Sequence, residues 1–160
     1  MASLPRFDSL WSNYPEDHDP EAVKRRIGGK VNVPWIINTC TIRMSYALNH
    51  SGSPIPRRHP LLTTVAGGDG HWYAIRVREL HRYLVRELAE PDVSGTAANK
   101  SDFAGHRGMM MFDVEGWSDA TGHFDVWNGS TTKYAEYWGL AKLGPEEPDA
   151  GGAAPRGPVA

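Results

Sequence analysis

The chain has one cysteine, so no internal disulfide can form. It has no large excess of charge: 17 Lys and Arg stand against 19 Asp and Glu, a net charge of −2. That near-balance lacks the electrostatic footprint of a nucleic-acid binder. The short basic clusters Lys24-Arg25-Arg26 and Arg57-Arg58 read as solvated faces. No apolar run approaches the roughly 20 residues of a membrane-spanning helix. The opening, Met1 to Phe7, lacks the apolar stretch of a secretory signal. Synthesis in the cytoplasm is therefore expected, with any export by a route that needs no cleaved leader. No HExxH or CxxC spacing marks a zinc site, and no metal or cofactor is expected. The glycine-rich run Ala66 to Gly70 lacks the GK[ST] of a phosphate loop and reads as a turn. No internal repeat is present.

What remains suits one domain with a core: 160 residues, 40% hydrophobic, with six Trp and six Tyr. Asp19-Pro20-Glu21 opens a short helix that Gly28-Gly29 ends. Val31 to Ile37, broken by Pro34, reads as a loop. An amphipathic helix follows from Cys40 to about Leu48, with Thr39 or Asn38 able to cap it. The longest helix is expected near Trp72 to Glu90. Tyr73, Val77, Leu80, Leu84 and Leu88 make its apolar stripe, and Pro91 stops it. Strands come late. Gly108 to Val114 reads as a buried strand, His123 to Trp127 as an alternating one, and Asn128-Gly129 as a tight turn. Residues 131–140 return as strand or helix. From Gly144 the composition turns to Gly, Pro and Ala, so residues 144–160 are expected to be a disordered tail outside a domain spanning 1–143. Helices first and a sheet later make the fold class α+β.

A helix start is where a lone cysteine carries chemistry. The first turn presents unpaired N–H groups and partial positive charge, a setting that favours a thiolate nucleophile. The bland alternative is a small buried hydrophobe. A thiolate needs a base, and His123 is the best placed of seven histidines. It opens a strand directly after the small Gly122, and alternation puts it on one strand face with Asp125 and Trp127. Its bland alternative is a structural hydrogen-bonder. His71 reads as a capping or packing residue at the start of the long helix, and His81 as polar-side. His18, His50, His59 and His106 fall in loops.

Four stretches resemble the type VI secretion amidase effectors of the Tae4 family. They are Phe7 to Pro15, Asn38 to Asn49, Gly52 to Pro56 and Gly116 to Gly129. The resemblance covers most of residues 7–140. It implies a papain-related, NlpC/P60-like fold in which N-terminal helices carry the nucleophile and an antiparallel sheet carries the histidine. It implies cleavage of peptidoglycan stem peptides between D-glutamate and meso-diaminopimelate. It implies delivery by the type VI secretion apparatus into the periplasm of rival bacteria, and a Tai4-type immunity protein as partner. Cys40 matches the family nucleophile and His123 the general base. The family's third residue is an aspartate after the histidine strand, where some members also carry a cysteine pair. This chain reads Ser130 to Tyr137 there and has neither.

Two carboxylates can take the third role. Glu136 is favoured, because it lies on the returning segment. Asp125 is two residues along the strand from His123, some 7 Å by strand rise, and is expected to contact substrate with Asn38, Thr39 and Trp117. The expected chemistry is attack by Cys40 on an amide carbonyl, with oxyanion stabilisation by N–H groups at the helix start, Cys40's own included. His123 then protonates the leaving amine and activates water. Rival readings are another cysteine–histidine acyl transferase or deamidase, and a non-catalytic cell-wall-binding module.

Overall fold

Residues 4–89, 100–113, 122–136 and 157–159 are described by the computed structural model. Contacts divide the chain into two compact units, Met1–Glu90 and Pro91–Ala160. Helices and antiparallel strands together make the fold α+β.

The first unit opens with helix α1, Phe7–Asn13, to which no element was assigned from the sequence. Helix α2, Pro20–Ile27, starts as its residues dictate. Asp19 Oδ1 accepts the Glu21 N–H at 3.0 Å, and Pro20 takes the first turn. Gly28, at φ 74°, ends it. A short 3-10 turn, Gly29–Val31, leads into the loop before helix α3, Cys40–Asn49. That helix is not amphipathic. Nine of its ten residues are buried, as in a helix packed on every side. Its polar residues serve its neighbours: Ser45 Oγ accepts the Ala74 N–H, and Asn49 bonds the Trp72 carbonyl and the Ile55 N–H.

The expected long helix splits in two. Trp72–Ala74 is strand β2, paired antiparallel with β1, Thr64–Ala66, and only Val77–Glu87 is helix, α4. Tyr73 fits the helical stripe by spacing, but the glycine-rich turn before it folds it back onto Val65. The turn also needs its glycines for close approach. Gly29 has φ 63°, and a Cβ there would meet the Gly68 nitrogen at 2.6 Å. The Gly68 N–H donates to the Ile27 carbonyl at 3.0 Å, tying the turn to the end of α2. Val23, Ile27, Val31, Ile36, Ile42 and Tyr73 pack as one buried cluster of this unit.

The second unit holds a three-stranded antiparallel sheet in the order β4-β3-β5. Strand β3 is Gly108–Asp113 and β4 is Gly122–Trp127, with Phe112 opposite His123. The alternation read in β4 does not separate a wet face from a dry one, since all six residues are buried. The Asn128-Gly129 turn is present: the Asn128 N–H donates to the Thr131 carbonyl, and Trp127 bridges Thr132. The chain then curls as an irregular segment instead of continuing as a strand or helix over 133–136. Strand β5, Gly157–Val159, pairs with β3, so these three residues join the sheet despite the composition that pointed to disorder. The rest of 144–160 lies outside the described residues. No helix among the described residues is long and apolar enough to cross a membrane.

Candidate active site

Cys40 is the first residue of α3 and only 4% exposed. Its sulfur lies 3.8 Å from the Thr41 hydroxyl, and Asn38, Thr39 and Arg43 shape the helix start around it. Asn38 Oδ1 accepts the Cys40 N–H at 3.0 Å. Of the two residues able to cap, Thr39 makes no capping bond and accepts Arg43 Nε at 3.2 Å through its hydroxyl. Arg43 is buried one turn beyond the cysteine, and its Nη1 donates to the Pro15 carbonyl at 2.9 Å. The guanidinium thus ties the start of α3 to the end of the α1 segment. Asn38 and Thr39 both sit beside Cys40, with their side chains spent on backbone and on Arg43. The bond to Asn38 also alters the expected oxyanion site: an oxyanion takes the Cys40 N–H only by displacing the Asn38 amide oxygen.

The loop before Cys40 is pinned from below by Lys24, which the sequence placed on a solvated face. Lys24 is 1% exposed. Its ammonium donates to the Val33 carbonyl at 2.9 Å and the Ile36 carbonyl at 2.8 Å, and pairs with Glu21 at 3.1 Å. A buried ammonium is tolerated when its donors are used, and here all three have acceptors. The signal in the sequence was Lys24's position between Val23 and Ile27, on the flank of the apolar stripe.

His123 is 3% exposed and sits on β4 of the second unit. Its ring lies near those of Phe112, at 6.3 Å between centroids, and Tyr134, at 5.7 Å. Its Nε2 is 2.9 Å from Asp125 Oδ2. This corrects the expected geometry. Strand rise separates the two backbones, but side chains on one face lean along the strand, and an imidazole and a carboxylate together span the gap. Asp125 is fully buried, not a rim residue facing substrate. Its Oδ1 accepts the N–H groups of Val126, Lys133 and Tyr134, and its Oδ2 that of Ala135 at 2.9 Å. Consecutive N–H groups of a curled segment make a concave anion site, and here the anion is the protein's own.

Glu136, favoured from the sequence to orient the imidazole, is committed elsewhere. Its Oε2 accepts the Thr131 hydroxyl at 2.7 Å and the Thr132 N–H at 3.3 Å, and its Oε1 pairs with Lys100 at 2.8 Å. The carboxylate at His123 is Asp125. Trp117 lies outside the described residues. Among the described residues no three His, Cys, Asp or Glu side chains gather where a metal ion could be held.

Residues 36–144 match the family model of Tae4, the type VI secretion system amidase effector protein 4. The chain belongs to this family. Its fold agrees. The Tae4–Tai4 effector–immunity complex from Enterobacter cloacae matches with a TM-score of 0.82 and 31% identity, over 98% of this chain and 96% of that one. Tae4 from Salmonella typhimurium, in complex with the Enterobacter cloacae immunity protein Tai4, matches with a TM-score of 0.83 and 32% identity, over 98% and 97%. Tae4 from Enterobacter cloacae matches with a TM-score of 0.83 and 31% identity, over 99% and 96%. A search of curated proteins returned no match. As a Tae4-family member the chain is an amidase effector of the type VI secretion system.

Proposed function

We propose that this amidase is a cysteine enzyme cutting peptidoglycan stem peptides at the D-glutamyl–meso-diaminopimelate bond, with Cys40 as nucleophile, His123 as base and Asp125 as the residue that orients the base. The observation that carries the reading is the imidazole of His123, held at Nε2 by a fully buried carboxylate. A carboxylate at one ring nitrogen keeps a proton there and leaves the other nitrogen, Nδ1, to act as base. The Cys40 thiol gives its proton to Nδ1, and the thiolate attacks the amide carbonyl. The tetrahedral oxyanion is met by N–H groups of the α3 first turn, which have no intrahelical acceptor. Collapse expels the amine, which takes its proton from the imidazolium. The same nitrogen then activates water, which releases the acyl group from sulfur. Asp125 stabilises the imidazolium in both halves without itself being protonated.

The substrate places the action in the periplasm of a target bacterium. A Tai4-type immunity protein is the partner, on the ground that relatives at 31–32% identity are found as Tae4–Tai4 complexes. Mass analysis of purified peptidoglycan tests the reading. Wild-type protein is expected to release fragments cut on the carboxyl side of D-glutamate. Cys40→Ala is expected to release none. Fragments carrying a transferred acyl group would make the chain a transferase instead, and release by Cys40→Ala would sink the nucleophile. Fusion to a secretory signal is expected to lyse a Gram-negative host, where cytoplasmic expression is not.

A further inference from the structure

The carboxylate that meets His123 is enclosed by the segment after the Asn128-Gly129 turn. Lys133, Tyr134 and Ala135 all aim their N–H groups at its two oxygens. Three consecutive amides converge in this way only on a tightly wound backbone. The winding is fastened at both ends. At its start Asn128 Oδ1 accepts the N–H groups of Ser130 and Thr131, both at 2.9 Å. At its finish Glu136 returns to Thr131 and Thr132, five and four residues back. The Glu136 carboxylate is in turn held by Lys100, on the 3-10 turn Lys100–Phe103. That turn is itself tied to β4, because the Trp127 indole N–H donates to the Phe103 carbonyl at 2.9 Å and Lys100 lies 5.8 Å over the Trp127 ring.

We propose that Glu136, paired with Lys100, is a positioning residue: it latches the 131–135 segment around Asp125 and through Asp125 sets which nitrogen of His123 carries the proton. Glu136 therefore acts on the imidazole at one remove. It closes the ring of backbone amides that fixes the orienting carboxylate. Lys100 supplies a cation to the carboxylate at the end of the segment that winds around Asp125. The inference rests on the proposed roles of His123 and Asp125.

The test compares Glu136→Ala, Glu136→Gln, Lys100→Met and Asp125→Asn, with release of stem-peptide fragments from purified peptidoglycan as the assay. Imidazole nitrogen shifts of His123 in 15N-histidine-labelled protein report the tautomer. Glu136→Ala is expected to lower kcat by tenfold up to about a hundredfold, as displacement of a catalytic group does. KM should hold within about twofold, since no substrate contact is removed. The His123 signals should move from one tautomer towards a mixture. Glu136→Gln keeps an oxygen acceptor for Thr131 and Thr132 and should recover most of the turnover. Lys100→Met should fall between the two. Wild-type kcat and an unmixed tautomer in Glu136→Ala would overturn the latch. If Glu136→Ala does not fold, the same two readouts on Lys100→Met decide it, an unchanged kcat and tautomer again overturning it. Asp125→Asn separates the two levels. Inactivity there with a normal Glu136→Ala sinks the latch alone, whereas full turnover in Asp125→Asn sinks the functional reading beneath it.

Discussion

Cys40 and His123 are held in opposite ways. The cysteine is placed by a helix start, and its nearest bonds span four residues at most: Asn38 to its N–H, the Thr41 hydroxyl beside its thiol and, around it, Arg43 to Thr39. The histidine is placed by a buried anion, and that anion is placed by amides eight to ten residues further on. A short-range arrangement survives the loss of one member. A buried polar network does not, because each group left unpaired keeps its full desolvation cost. The nucleophile should therefore be removable without harm to the fold, and the base should not.

Replacing each in turn gives the sharpest form of this contrast. Cys40→Ala and His123→Ala are both expected to abolish measurable turnover. Cys40→Ala removes one sulfur and should move the melting temperature by only a few degrees. His123→Ala opens a cavity between Phe112 and Tyr134 and leaves Oδ2 of buried Asp125 one donor short. It should cost about 2 kcal/mol or more, seen as a melting temperature lower by several degrees. Equal melting temperatures for the two variants would break the contrast.

Asp125→Asn comes next in size. The amide keeps the volume and one oxygen, but presents an N–H2 either to the His123 ring or to backbone donors that already fill the site. By analogy with other catalytic triads in which this change fixes the wrong tautomer, kcat should fall by roughly four orders of magnitude. The measurement is kcat on peptidoglycan beside a urea melt. A loss of stability without a loss of kcat in the folded fraction would leave Asp125 a structural anchor only.

The same contrast explains what could be read from the sequence. The Cys40 helix, its start and the Asp19 cap of α2 follow from residues within one turn of each other, and these were legible. So was His123 at a strand start. The partner of His123 was not, because strand rise describes backbones and the contact is between side chains. The roles of Glu136 and Lys24 depended on where distant carbonyls and amides lie, which no spacing encodes. Residues 72–74 show the reverse error. Tyr73 satisfied a helical period, and a turn made possible by glycine contact with Gly29 overrode it.

Lys24 tests whether the nucleophile's loop is as independent as its short bonds imply. Lys24→Met keeps the length and apolar stem but leaves the Val33 and Ile36 carbonyls without their buried donor. The expected cost is roughly 1–3 kcal/mol, read by denaturant melting. Activity of the folded fraction should change less than in Asp125→Asn. A larger kinetic loss from Lys24→Met would mean that Cys40, too, depends on a long-range network.

The smallest effect concerns acid, and it belongs to the first unit alone. Burial by itself would raise the Asp69 carboxyl. Hydrogen bonds from the Tyr73 hydroxyl and the His71 N–H, with His71 and His50 close by, outweigh burial and hold the carboxyl below the usual aspartate range. The Tyr73 hydroxyl is pushed well above its ordinary value, by burial first and by Asp69 second, so it stays a donor throughout. A carboxyl whose folded value is depressed stabilises the fold at any pH above its unfolded value, and that contribution drains away as the pH falls through the folded value. The window is thus below about pH 4, where an unfolded aspartate begins to protonate. There the glycine-rich turn between β1 and β2 should loosen first, since Asp69 sits at its tip and joins Tyr73 of β2 to His50 at the end of α3. Asp69→Asn should lower the melting temperature modestly at neutral pH, by a margin that shrinks as the pH falls below about 4, so that the two stability curves converge in acid. Parallel curves across that range would mean that Asp69 contributes through its shape and not its charge, and would leave the turn to its glycines.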